Sequence, residues 1–395
     1  MELFYIINLI LFHEYNIKSG ILIQYIKEGV FLKKFCSKKQ LFLILLLPLG
    51  IFLSKLSIVL PNYVEKFYSS FFYKIIATIL SAITGFLPFS LAELLIVSFV
   101  IFALCYVLKT ILNLYKLKNK RLIILKNFIL NSLAAVGLIY FSFLLLWGFN
   151  YQRLTLDKIF QLDVRKSTVK ELSELCISLI KSSNSLRKNI EENQQGAMVL
   201  PYDKKYVLKT AQLGYDKASL KYDKLKGNYG PPKSIILSNP MCYTGITGFY
   251  FPFTNEANVN MAEPVSFLPF TTAHEMAHQR GFAKEDEANY IAYVACINHP
   301  DINFRYSGTF AALSYSFNAL AKVDIEKYRE LISLCSTGVL NDIRYNQEFW
   351  EGYSGTIEKM GDKVNDTYLK SQNQQSGTNS YGAMVDLLLA QFREK

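Results

Sequence analysis

Histidine is scarce in this chain, with only four among 395 residues. Cysteine is nearly as rare: six are present, none in a CxxC pair, which excludes a disulfide scaffold and a cysteine-based zinc ribbon. No glycine-rich phosphate loop stands out, and no internal repeat is evident. Acidic residues number 32 against 43 basic ones, a formal net charge of +11. Such a balance can serve nucleic-acid binding. Here, however, much of the lysine and arginine flanks apolar runs, as in membrane proteins whose orientation follows loop charge, and no nucleic-acid partner is expected.

Apolar and aromatic residues are abundant. Hydrophobic types make up 51% of the chain, with 29 Phe and 26 Tyr, which points to membrane segments and a lipid bilayer as a partner. Residues 1–40 open with an apolar stretch, Met1 to Phe12, without a basic leader or a small-residue cleavage site, so no cleaved signal peptide is expected. Lys18, Lys27, Lys33, Lys34, Lys38 and Lys39 follow. Three runs then suit bilayer crossings, at about 41–60, 90–112 and 128–149. The second opens with a capping box, Ser90 to Glu93, and the third ends in Trp147 and Tyr151, suited to an interfacial belt.

Another apolar run, 71–87, lies between the first two. Loop charge assigns it. The N-terminal segment and the loop 113–126 are rich in lysine, whereas the stretch from Pro61 to Pro88 holds only Lys66 and Lys74. Three crossings put both basic segments in the cytoplasm, and four would not. Residues 71–87 are therefore expected as an interfacial or re-entrant helix. The N-terminus is expected to be cytoplasmic, and residues 150–395 extracytoplasmic.

Residues 150–395 are long enough for a core of their own. Helices are expected over 168–194, after a Thr168–Glu171 capping box, and over 203–225. Short strands are expected at 234–237, 245–254 and 257–261. Phe249, Phe251 and Phe253 alternate with Tyr250, Pro252 and Thr254, and Pro252 confines that strand to an edge or a bulge. An exposed edge there could hold an extended peptide by strand addition. Further helices are expected over 285–297, 307–322, 324–336 and 339–370, then a Ser/Gln/Asn/Gly-rich loop over 371–380 and a last helix carrying Val385, Leu388, Leu389 and Phe392.

Two of the four histidines form His274-Glu275-Met276-Ala277-His278. Residues four apart share a helical face, so both imidazoles can aim at one metal ion, while Glu275 lies about 100° round the helix, near the metal without being an obvious ligand. A catalytic zinc takes three protein ligands and keeps one position open. Gly281 can close the helix, and a second helix starting near Lys284 would bring Glu285 or Glu287 back toward the imidazoles. His299, beside Pro300, reads as a loop or capping residue, and Cys296 as a core residue. Tyr243, Tyr250 and Tyr293 are candidate donors to an oxyanion. The charged residues Arg280, Lys284, Glu285 and Asp286 exclude a motif buried within a membrane span.

His274-Glu275-x-x-His278 followed by Glu285-x-x-Ala288-Asn289 resembles the gluzincin branch of the zincin metallopeptidases. That resemblance implies Zn2+ held by His274, His278 and Glu285, with Glu275 as general base and Asn289 supporting a ligand imidazole from behind. The connection 279–284 is shorter than in many gluzincins, which leaves Glu287 as the alternative third ligand. Leu87-Pro88-Phe89-Ser90, Trp147-Gly148-Phe149-Asn150-Tyr151 and Gly248-Phe249-Tyr250-Phe251-Pro252-Phe253 also resemble an uncharacterised bacterial membrane-protein family, which implies a plasma-membrane location. The expected fold is α+β and mostly helical: three N-terminal transmembrane helices followed by a zincin-like domain with a small sheet. The expected activity is hydrolysis of a peptide or protein substrate. The alternatives are a zinc amidase acting on cell-wall material and a membrane-anchored sensor that keeps the fold without catalysis.

Overall fold

The structure is a computed structural model that describes residues 36–361, 363 and 384–394. The apolar opening Met1 to Phe12, the lysines at 18, 27, 33 and 34, and the loop expected over 371–380 lie outside the described residues. The described chain is mostly helical, with one three-stranded sheet.

Four N-terminal helices are long and apolar enough to cross a membrane: α1 (Lys38–Ile58), α2 (Pro61–Thr84), α3 (Leu91–Lys116) and α4 (Lys118–Leu146). Three match the expected crossings with shifted ends. The fourth, α2, contains the run assigned to an interfacial helix, but begins ten residues earlier than that reading, at Pro61 rather than residue 71. It is π-helical over Val64–Phe72 and α-helical over Tyr73–Thr84.

The chain divides into two compact units. One comprises Met1–Lys55 and Ala103–Ser142. Within it the Gln40 amide donates to Asn131 Oδ1 at 2.8 Å, and the rings of Tyr106 and Phe128 stack with centroids 5.5 Å apart. Its apolar side chains are largely exposed, as on a surface that faces lipid rather than water.

The other unit comprises Leu56–Phe102 and Phe143–Lys395. It therefore takes in α2 and the start of α3, where the sequence reading began this part of the chain at residue 150. The capping box at Thr168 starts helix α5 (Val169–Arg187) as expected. The helix expected over 203–225 is broken into α6 (Lys204–Thr210) and α7 (Gln212–Ala218). Gly214 lies in α7, and a Cβ there would collide with the Ala295 backbone, so its smallness permits a close helix crossing.

Strands β1 (Lys233–Ser234), β2 (Gly248–Phe251) and β3 (Glu256–Val259) form a sheet of order β1-β3-β2. The β1–β3 pairing is parallel and the β2–β3 pairing antiparallel, with Gly248 opposite Val259 and Phe251 opposite Glu256. All are shorter than the sequence reading. β2 stops at Phe251 because Pro252 has no N–H to give to a ladder, and as expected it is an edge strand.

Helix α8 (Leu268–Gln279) carries the HExxH motif with Pro269 in its first turn, and α9 (Glu285–Asn298) follows. Asp301 caps α10 (Ile302–Val323) through the Asn303 N–H. Then come α11 (Ile325–Ile332) and α12 (Thr337–Glu351), the latter ending at Gly352 instead of running to 370; helix resumes over 356–361. Last is α13 (Met384–Arg393), whose Val385, Leu388 and Leu389 are buried, as the periodicity predicts. One continuous core joins α5, α8, α9, α10 and α13. All six cysteines are free, and Cys176, Cys242, Cys296 and Cys335 are buried.

Candidate metal centre

The connection between α8 and α9 sets the geometry of the site. Gly281 adopts φ +84°, the left-handed conformation that closes a helix. Its N–H donates to the His278 carbonyl (2.8 Å), and that of Phe282 donates to the Ala277 carbonyl (3.2 Å), which together satisfy the last carbonyls of α8. This turn also delivers the Phe282 carbonyl to His278 Nδ1 at 2.7 Å. A carbonyl only accepts, so Nδ1 carries the proton, and in the neutral imidazole the lone pair is on Nε2, the atom that would ligate a metal.

The three expected donors converge. His274 Nε2 and His278 Nε2 are 3.0 Å apart. The Glu285 carboxylate reaches both, at 3.1 Å from His274 Nε2 and 3.7 Å from His278 Nε2. The ligand atoms of His274, His278 and Glu285 all lie within 4.8 Å of one another. Glu285 is in the first turn of α9, where the helix N-terminus favours a negative charge.

Glu287 points elsewhere. Its Oε1 accepts from the Leu156 N–H (3.0 Å) and from Lys284 Nζ (3.3 Å). Two residues along a helix turn the side chain about 200°, so Glu285 and Glu287 cannot face the same ion.

Electrostatics fit a cationic centre. Burial favours the neutral form of Glu285, but the flanking imidazoles outweigh it and hold the carboxyl below its ordinary range. Burial likewise works against protonated His278, and Glu285 overcomes it, raising the imidazole to about 9. The two shifts are one interaction seen from both partners: the Glu285 carboxylate and protonated His278 stabilise each other. Glu275 is 4% exposed and belongs to the same wall. Burial pushes its carboxyl up to about 7 against the pull of His274 and His278, and Oε2 has no hydrogen-bond partner among the described residues.

The site opens on a cleft of about 830 Å³ lined by His274, Glu275, His278 and Glu285. One wall is the segment Thr244–Tyr250 with Pro252, which includes edge strand β2. Gly248 is essential to the fit: a Cβ there would lie 2.7 Å from Glu275 Oε1. The free side of β2 has no strand partner among the described residues.

Of the candidate oxyanion donors, Tyr293 is buried in the core, and Tyr243 is half exposed against Tyr353. Only Tyr250 lines the cleft, and its hydroxyl is tied to Asn255 Oδ1 at 2.7 Å. Sequence reasoning missed Tyr315, on α10, which lines the cleft and feels the Glu285 charge; burial and that charge raise its hydroxyl above the ordinary range, against the opposing effect of nearby Asn289. Asn289 thus lies by Tyr315. His274 Nδ1 has no hydrogen-bond partner among the described residues, so the supporting bond that the resemblance assigns to Asn289 is not made there. Nothing within α8 or α9 could have flagged Tyr315, which is 30 residues beyond Glu285. His299 accepts from the Asp301 N–H and bonds the Thr210 carbonyl, the loop role expected of it.

Residues that flank the apolar helices also reach this site. Trp147 Nε1 donates to the His278 carbonyl (3.2 Å), and the Tyr73 hydroxyl of α2 donates to the Gln279 carbonyl (2.9 Å). Arg153 pairs with Glu65 of α2 at 2.9 Å, both buried, and donates to the Gly281 carbonyl at 2.9 Å.

A mostly helical chain with apolar helices and a His-His-Glu cluster beside an edge strand is the class that fold and site define. Residues 68–389 match the family model described as "Protein of unknown function (DUF3810)", and the chain belongs to that family. No curated protein and no solved structure matches the chain.

Proposed function

We propose that this protein is a membrane-anchored zinc peptidase of gluzincin type. The observation that carries the reading is the convergence of His274 Nε2, His278 Nε2 and the Glu285 carboxylate within 4.8 Å, with the Glu275 carboxylate on the same cleft wall. Two imidazoles and one carboxylate suit zinc, and three protein ligands leave a position for chemistry. Bound zinc supplies Lewis acidity, lowering the pKa of water and polarising a carbonyl.

The chain's own groups do the rest. Glu275 takes a proton from the attacking water and passes it to the departing amine, so that water is added across the peptide bond. Its buried carboxyl, raised to about 7, is matched to that exchange near neutrality. Tyr315 donates to the oxygen on which negative charge develops. Edge strand β2 holds the substrate backbone by strand addition, which orients the scissile bond over Glu275.

The catalytic unit lies outside the cytoplasm, with α2 resting at the membrane surface. The placement of α2 is supported by its two faces: Tyr73, Ser81 and Thr84 are buried within the site-bearing unit, while Phe67, Phe71, Ile75, Ile79 and Ile83 leave an apolar face exposed for lipid. A cytoplasm-active reporter fused after Lys395 should be silent, and a bright reporter overturns the topology.

The decisive experiment compares the wild-type protein with Glu275→Gln for zinc content and peptide hydrolysis. Zinc should be retained and hydrolysis lost by on the order of 10²-fold or more. Equal hydrolysis by both proteins refutes the mechanism, and absence of zinc from the wild type refutes the metal.

A further inference from the structure

The cleft wall carries two buried acceptors that the hydrolytic chemistry does not use. Glu263, just before α8, is 1% exposed. Its Oε2 accepts from Thr271 Oγ1 at 3.0 Å, while Oε1 has no partner among the described residues. The Lys204 charge acts on this carboxyl, but its ammonium is hydrogen-bonded to the carbonyls of Met261 and Glu263, at 2.7 and 3.1 Å, and makes no ion pair with the carboxyl among the described residues. Asn346 on α12 is the second. Its Nδ2 donates to Ser266 Oγ (2.6 Å) and to the Asp342 carbonyl (2.8 Å). A carbonyl cannot donate, so the amide orientation is determined, and Oδ1 is an acceptor without a partner among the described residues.

Both residues line the metal-centre cleft together with Phe267, Phe270 and Trp350. Buried acceptors without donors are costly, and in a cleft wall they point to a ligand that brings the donors. An amide N–H would satisfy Asn346 but would bring no positive charge to the Glu263 carboxyl, which no cation pairs directly among the described residues. An ammonium brings a positive charge and several N–H donors, and aromatic faces tolerate it. Burial also pushes the Glu263 carboxyl well above its ordinary range, with the Glu275 charge adding to the effect against Thr271 and Lys204. The anion is thus favoured once a cation arrives.

We propose that Glu263 and Asn346 form a subsite for a substrate ammonium group, either the α-amine of a peptide or a lysine side chain. This rests on the peptidase reading and specifies its substrate class.

The test measures binding rather than turnover. Full-length, zinc-loaded Glu275→Gln protein is titrated calorimetrically with three probes: tri-alanine amide with a free α-amine, its N-acetylated form, and N-acetyl-Ala-Lys-Ala amide. At least one ammonium probe should bind about tenfold or more tighter than acetylated tri-alanine amide. The free-amine arm winning identifies the α-amine, and the lysine arm winning identifies the side chain. In a Glu263→Gln version the preference should vanish, with zinc content and binding of the acetylated probe unchanged. Equal binding of all three probes, binding of none, or a preference that survives Glu263→Gln overturns the proposal. Acetylating the ligand makes the comparison without altering residue 263, so a misfolded Glu263→Gln chain does not remove the test. A binding preference in a protein whose unsubstituted form hydrolyses no peptide would sink the peptidase reading alone.

Discussion

The indole N–H of Trp147 donates to the carbonyl of His278 at 3.2 Å, across 131 residues of sequence. A residue at the end of an apolar helix is thereby bonded to the backbone of a metal-ligand candidate, and the two rings meet edge to face with centroids 6.0 Å apart. Trp147→Phe keeps most of the apolar surface and loses the donor. The thermal midpoint of detergent-solubilised protein should fall, for a loss of about 1 kcal/mol, the usual net value of one buried hydrogen bond. An unchanged midpoint would mean that the bond contributes nothing to stability.

Glu285 and Glu287 should separate cleanly in metal analysis. Glu285→Gln removes the carboxylate that reaches both imidazoles, and zinc affinity should drop at least about tenfold. Glu287→Gln should keep the metal and instead lower stability, because Glu287 Oε1 accepts from the Leu156 N–H and from Lys284. Zinc loss in the second variant with retention in the first would reverse the assignment.

Gly248→Ala tests the seat of Glu275. The added Cβ would lie 2.7 Å from Glu275 Oε1 and 2.9 Å from the Asn258 carbonyl, so the carboxylate must move. Displacing a catalytic group by about 1 Å costs on the order of 10²-fold in rate. Peptide turnover should fall by that order, with zinc content unchanged. A variant as active as the wild type would show that Glu275 has room to spare.

Gly281→Ala should destabilise the turn behind the motif. Its φ of +84° is unfavourable for a residue with a Cβ, by roughly 1–2 kcal/mol. The new Cβ would also approach Tyr73 Cε1 to 2.8 Å. Denaturant unfolding should show a loss above the conformational term alone, and part of that loss should be recovered when Gly281→Ala is compared with Gly281 in a Tyr73→Ala background, where the ring it meets is gone. No recovery would place the whole cost in the backbone.

Local features of the site were legible because they depend on spacing within one or two turns. His274 and His278 share a face by helical period alone, Gly281 marks a left-handed closure, and an acidic turn after it suits a helix start. The apolar runs that became α1, α3 and α4 were readable from length and hydropathy, with ends shifted by a few residues at most sites. The helix expected over 203–225 is instead interrupted at Ala211 and ends at Ala218, breaks that its apolar spacing does not mark.

By itself, then, the sequence determined the motif, its turn, the edge position implied by Pro252 and the number of long apolar runs, all of them set by neighbours along the chain. Tertiary structure alone decided that Glu285 and not Glu287 meets the imidazoles, since that depends on how α9 packs on α8. It also brought Tyr315, Glu263 and Asn346 to one cleft, and carried Tyr73 and Trp147 to the end of the motif helix. Those residues lie from 11 to 205 positions from the site residues they serve. No local preference encodes such contacts; they exist only because burying one continuous core forces distant segments together.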